Sequence, residues 1–273
     1  MSATATMVER PPPEARGWPR RRIIGYALVG VWIAFGLGIV SYLFFAWNAA
    51  FFAKYAPAYL QGLGVTLALV SISMVLGAIL SLPVAYGRMS RNRILSGVAY
   101  CYVYFFRGTP LLVQTFLVYY GLGSFRPELQ TIGLWDFFKD AFNCGVFAFA
   151  LNTAAYQAEI LRGAIESVPR GQWEGAASLG LHKLQTLRKI ILPQALIVAL
   201  RPYGNELILM IKASAIVAII TVYDLMGNAK LAFANSFDIQ AYIWVALVYL
   251  VMVELLRHGV EWIERRITIH LKR

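Results

Sequence analysis

The feature that most constrains this chain is that its apolar residues come in long blocks. Runs of about 20 or more recur along it, the length that crosses roughly 30 Å of hydrocarbon at ~1.5 Å per helical residue. Hydrophobic residues make up 59% of the 273 positions and charged residues 14%. Soluble domains sit nearer 45–50% and about 25%. In lipid a backbone must satisfy its own polar groups, which closed helices do. The expected fold is therefore an all-α polytopic membrane protein. Six apolar segments can be drawn, at 23–47, 58–86, 94–120, 144–162, 195–223 and 241–263.

The net charge of +11 invites a nucleic-acid reading, but its distribution does not support one. With six spans both termini share a side. Placed inside, the leader, 87–93, 163–193 and the C-terminal end hold eighteen Lys and Arg, counting Arg162 and Arg257 at the span ends. The opposite loops hold four, and Arg107, Arg201 and Lys212 fall within spans. Basic residues gather on the cytoplasmic side of membrane proteins, so both termini are expected in the cytoplasm. The leader ends in RPPPEARGWPRRR and reads as disordered. The first apolar block is too long for a cleaved signal core of 7–15 residues and reads as a retained span. Cys101 and Cys144 fall near opposite membrane faces, so no disulfide is expected. No Cys/His cluster suggests a metal.

Between the fourth and fifth segments lies GQWEGAASLGLHKLQTLRKIILPQAL, at 171–196. Trp173, Ala177, Gly180, Leu184 and Leu187 recur at steps of three and four, one face of a helix. Ala176, Ala177 and Gly180 leave little side chain there, which lets a partner come close. The stretch reads as a short exposed helix, then a turn and re-entry at Pro193, where a missing N–H costs little. The spacing Glu174-Gly175-Ala176, three residues, Gly180, nine residues, Ile190-x-Leu192-Pro193 resembles the EAA loop of the membrane subunits of ATP-binding-cassette importers. Gly175 stands where that motif has its first alanine, which weakens the helix by up to ~1 kcal/mol.

Two further stretches, FRGTPLLVQ at 106–114 and LNTAAYQAEI at 151–160, together with NELILM at 205–210, are similar to the polar amino-acid branch of those importers. The combination most resembles the M-type permeases of histidine/lysine/arginine/ornithine and opine importers, from about Ala58 to the C-terminus. The resemblance implies a type I importer permease core of five helices at 58–263, with the coupling loop at 166–193. Around it stand the leader 1–22, an extra N-terminal helix at 23–47 and a basic tail at 264–273. It also implies passage of polar, cationic amino acids through the bacterial inner membrane by alternating access. A coupling role falls to Trp173, Glu174, Gly175, Ala176, Ala177 and Gly180. The implied partners are an ATP-binding subunit in two copies, a second and non-identical permease, a periplasmic amino-acid-binding protein and membrane lipid. ATP and Mg belong to the ATPase subunit. This chain carries no G-x-x-x-x-G-K-[ST] loop, no cofactor and no enzymatic machinery of its own.

An ionisable residue at the bilayer centre costs ~2.5–3.5 kcal/mol on insertion scales, so it faces a cavity or a partner. Glu206 lies mid-span just after Pro202, where backbone groups are freed. With Asn205, and with Asn152 and Tyr156 at i, i+4 on another span, it forms the candidate substrate site. Two readings stand: Glu206 meets a cationic group of the substrate, or Lys212 or Arg107 neutralises it. Arg107 can bind a carboxylate, act in a gate or pair with Glu159, the last being preferred. Glu254 is expected to pair with Arg257, and His258 and His270 to sit at headgroup level. An alternative function is an ion-coupled secondary transporter or channel, in which intramembrane charges relay protons. A membrane enzyme would need a catalytic cluster at one face, and none is legible.

Overall fold

The computed structural model describes residues 19–45 and 47–268; the leader up to residue 18, and the tail beyond 268 with His270, lie outside the described residues. Among the described residues every regular element is a helix. The chain divides into two units between Phe52 and Ala53. The first holds α1 (Arg20–Phe45), 26 residues that are apolar once past the opening arginines. Asn48 then accepts from the Phe51 amide at 3.0 Å and starts α2 (Ala49–Arg88).

The second unit takes in most of α2 and everything after it. Asn92 accepts from the Ile94 and Leu95 amides and caps α3 (Arg93–Gly108). Next come α4 (Leu111–Phe116) and a π-helical turn, Leu117–Gly121. Two short helices follow, α5 (Arg126–Thr131) and α6 (Trp135–Phe138), where the sequence allows an interfacial helix. Asp140 caps α7 (Ala141–Glu166) by accepting from the Asn143 amide. A loop carries α8 (Arg170–Ser178) and α9 (Lys183–Thr186), and a π turn at Leu187–Ile191 leads into α10 (Leu192–Ser214). Pro193 sits in the first turn of α10, as its spacing predicts. A 3₁₀ stretch, Ala215–Ile220, ends at Thr221 (φ 67°), and Asp224 caps α11 (Leu225–Ser236). The last helix is α12 (Gln240–Thr268).

Four helical stretches are long and apolar enough to cross a membrane by length and composition: Arg20–Phe45, Ala49–Arg88, Lys183–Ile220 and Gln240–Thr268. The other two drawn segments depart from a simple span. Segment 94–120 is broken at Thr109–Pro110 into α3 and α4. Segment 144–162 lies within α7, which has the length but carries Asn152, Thr153 and Gln157, all buried in protein. That placement explains its composition, because a helix surrounded by other helices can hold polar groups that lipid would reject.

α7 is the central element of the second unit, packing on α10, α3 and α4, while α10 also packs on α12. Close approach is bought by glycine: a Cβ on Gly77 of α2 would collide with the Thr153 methyl, and one on Gly204 of α10 with Val260 of α12. One apolar cluster forms around Leu69, Phe149, Ile211 and Val217. A second, toward the α8 end, gathers Ala85, Leu161, Ile191 and Ala195, with Trp173 packed against it. Cys101 and Cys144 are both free thiols.

Candidate functional site

The loop between α7 and α10 does not form one continuous helix face. α8 stops at Ser178, and Gly180 adopts a left-handed conformation (φ 70°). Leu181 N donates to Ala176 O at 3.1 Å and Gly180 N to Ala177 O at 2.9 Å, the paired bonds of a glycine-terminated helix. Leu184 and Leu187 therefore belong to the next elements, and Gly180 shapes the turn instead of extending the face. Ala176 is 2% exposed, and Trp173 is half-buried against the second cluster. Glu174, Gly175 and Ala177 are exposed. Of the six coupling candidates, Trp173 and Ala176 thus hold the loop onto the bundle, and Glu174, Gly175 and Ala177 are the ones a partner could touch. Leu179, 78% exposed, extends that outer surface.

Within the bundle the helix break organises a buried polar layer. Pro110 has no N–H, so Phe106 O lacks its i+4 donor. Gln114 Nε2 donates to Phe106 O at 3.0 Å, to Thr109 O at 3.1 Å and to Thr109 Oγ1 at 2.7 Å. Asn152 Nδ2 donates to Phe106 O and to Gln114 Oε1, both at 2.9 Å. Asn152 therefore joins α7 to the broken helix.

Glu206 is 6% exposed, and its Oε1 accepts from Thr153 Oγ1 at 2.9 Å. Gln157 Nε2 donates to Thr153 Oγ1 at 3.1 Å and to Met74 O of α2 at 3.2 Å. Among the described residues Glu206 makes no ion pair, with Lys212 or with Arg107, although the Arg107 charge is near enough to act on it. Asn205 is not brought to this carboxylate. Adjacent residues point about 100° apart on a helix, and Asn205 lines a separate groove with Arg201, Ile208, Arg257 and Glu264. Sequence reasoning missed Thr153, Gln157 and Gln114. The i, i+4 pair Thr153/Gln157 inside an apolar helix was the available signal.

Tyr156 stacks beneath the Arg107 guanidinium, 5.0 Å from carbon to ring centroid. The expected Arg107–Glu159 pair is absent. Glu159 is taken by Arg88 of α2 at 2.8 Å and by Arg162 at 2.7 Å, and Arg162 also reaches Glu166 at 2.7 Å. Glu159 lies one turn beyond Tyr156 on α7 and meets the end of α2, where Arg88 is nearer than Arg107. Glu254 and Arg257 do pair, at 2.6 Å, and His258 lies 3.4 Å from the same carboxylate. Arg201, within the long apolar stretch Lys183–Ile220, reaches Glu264 near the end of α12 at 2.8 Å.

Four helical stretches long and apolar enough to cross a membrane, with polar groups buried inside the second unit, mark a helical membrane protein. Residues 73–269 match the family described as "Binding-protein-dependent transport system inner membrane component", and the chain belongs to that family. It is a multi-pass ABC-importer permease subunit with no ATPase activity of its own. The nopaline transport system permease protein NocM of Agrobacterium fabrum is 43% identical over 195 residues, 71% of this chain and 81% of the relative. The arginine ABC transporter permease protein ArtM of Haemophilus influenzae is 37% identical over 187 residues, 68% and 82%. A crystal structure of an amino acid ABC transporter with histidines superposes with a TM-score of 0.71 at 36% identity, covering 80% of this chain and 98% of that one. The MetNI methionine ABC transporter, at 20% identity and a TM-score of 0.63, shares the fold.

Proposed function

We propose that this chain passes a polar, cationic amino acid, of the arginine, lysine, histidine, ornithine or opine kind, through the bacterial inner membrane by alternating access. The observation that carries the reading is the Glu206 carboxylate: buried in the bundle, held by one hydroxyl and in no ion pair among the described residues. A buried carboxylate left this way is costly unless a cation meets it. Relatives named for nopaline, octopine and arginine transport support the same charge class. Asn152 and Tyr156 flank the site, Asn152 with both amide hydrogens already engaged by the helix break.

In this reading six helical segments cross the membrane, five forming the core and α1 an addition, with both termini cytoplasmic. ATP and Mg act in a separate subunit, present in two copies, that docks on Glu174, Gly175 and Ala177. A second, non-identical permease completes the pathway, and a periplasmic amino-acid-binding protein delivers the substrate. Uptake into proteoliposomes holding the whole complex tests this. ATP-dependent accumulation of cationic amino acids above neutral and acidic ones is expected. Accumulation driven by an ion gradient with no ATPase subunit present would overturn it.

A further inference from the structure

Near the buried carboxylate lies a cation that, among the described residues, is in no ion pair. Arg107 ends α3 at the Pro110 break, is exposed, and makes no ion pair with any described residue. Its sequence-level partner, Glu159, is held by two other arginines. An arginine in a membrane-spanning region that makes no ion pair is costly, and such residues face a cavity or a ligand. Arg107 does face one: a groove of about 400 Å³ between α7 and α10, lined with Tyr156, Glu159, Gly163, Ala199 and Pro202.

The groove lies alongside Glu206. Pro202 precedes Glu206 by four residues on α10, and Tyr156 follows its hydrogen-bond partner Thr153 by three on α7. The two helices run antiparallel, so both steps lead in the same direction, by roughly one turn or ~5.4 Å. The Tyr156 ring lies 5.0 Å from the guanidinium carbon, and no described residue takes the guanidinium's edge donors in an ion pair. A planar fork placed in that way suits bidentate binding of a carboxylate.

We propose that Arg107, oriented by Tyr156, binds the substrate's carboxylate, so that the site grips an amino acid at both ends. This rests on Glu206 binding the cationic end, and adds that the permease itself distinguishes an amino acid from the corresponding amine. Arg107 is then a binding residue, and Tyr156 a positioning residue acting through it.

The test is equilibrium binding to the purified complex of permeases and ATPase, without nucleotide and without the binding protein, so that only the membrane site selects. The probes are L-arginine and its decarboxylated analogue agmatine, with L-lysine/cadaverine and L-histidine/histamine as further pairs. The wild-type complex is expected to prefer one amino acid over its amine by about tenfold or more, the effect of one charge-assisted hydrogen bond. Arg107→Gln should bring that ratio close to one by weakening the amino acid without weakening the amine. Retained amine binding also reports that the variant is folded. Arg107→Lys should keep part of the preference, and Tyr156→Leu should lower it without abolishing it.

Equal weakening of acid and amine in Arg107→Gln, or an unchanged ratio, would overturn the proposal. Glu206→Gln separates the two claims, because it should weaken amino acid and amine alike. If it weakens neither while Arg107→Gln still removes the preference, the carboxylate site stands and the cation site falls. Failure of the wild type to bind any probe would count against both.

Discussion

Replacing Gln114 by leucine should test how the bundle tolerates its helix break. The side chain is 2% exposed and takes part in four hydrogen bonds, three as donor to Phe106 O, Thr109 O and Thr109 Oγ1 and one as acceptor from Asn152. Leucine fills similar space but makes none of them. Phe106 O keeps its bond from Asn152, and Thr109 Oγ1 still donates to Phe105 O at 2.8 Å. What is stranded is Thr109 O and one Asn152 hydrogen. Leaving a buried polar group unpaired costs about 1–3 kcal/mol, so the expected loss is roughly 2–4 kcal/mol. At ~2–4 °C per kcal/mol for a chain of this size, thermal unfolding of the purified complex should start roughly 5–15 °C lower. The Gln114→Leu/Asn152→Leu double variant should lose less than the sum of the singles, because the two amides share a bond and a carbonyl. The assay is size-exclusion recovery after heating in detergent. Additive losses, or a Gln114→Leu shift under about 1 °C, would show that the break is not held by these amides. A Gln114→Leu variant of wild-type stability with weakened substrate binding would move the amide cluster from scaffold to substrate site.

Other consequences are as direct. Ala176→Trp should destabilise the chain, because the side chain has no room against the bundle, whereas Ala177→Trp should leave stability unchanged and reduce ATPase co-purification; equal behaviour of the two would contradict the inward–outward division of α8. Gly180→Val forces a β-branched residue into φ 70° and should loosen the loop at a cost of about 1–2 kcal/mol, seen as faster proteolysis between α8 and α9. Glu159→Gln leaves the largely buried Arg88 without its carboxylate while Arg162 keeps Glu166; a loss of ~1–2 kcal/mol is expected, with partial rescue by Arg88→Gln, and no rescue would mean the pair is incidental. Gly77→Ala should push a methyl into Thr153 and weaken substrate binding through its bond to Glu206, read as a raised KM for uptake.

The apolar blocks make α1, α2 and α12 legible because length and hydrophobicity alone define a lipid-facing helix. α7 is legible only in outline: its polar residues make sense once its neighbours are known, and neighbours are a long-range property. The same limit explains Arg107. Its charge and its proline are plain in the sequence, but whether Glu159 turns toward it or toward Arg88 depends on how α2 and α7 cross. Asn205 fails for a simpler reason, since adjacency in sequence is divergence on a helix. Gly180 was readable as a helix terminator, being a glycine after a run of small helical residues. The three- and four-residue recurrence carried the face past it into α9.

The most direct test of the central claim is substrate selectivity of reconstituted uptake in Glu206→Gln and Glu206→Asp complexes, with ATP, ATPase subunit and binding protein present. The account predicts that Gln loses transport of cationic amino acids while ATPase docking persists, and that Asp, with its charge drawn back by one methylene, retains a fraction of it. Uptake of every cationic amino acid at the wild-type rate by the Glu206→Gln complex would contradict it.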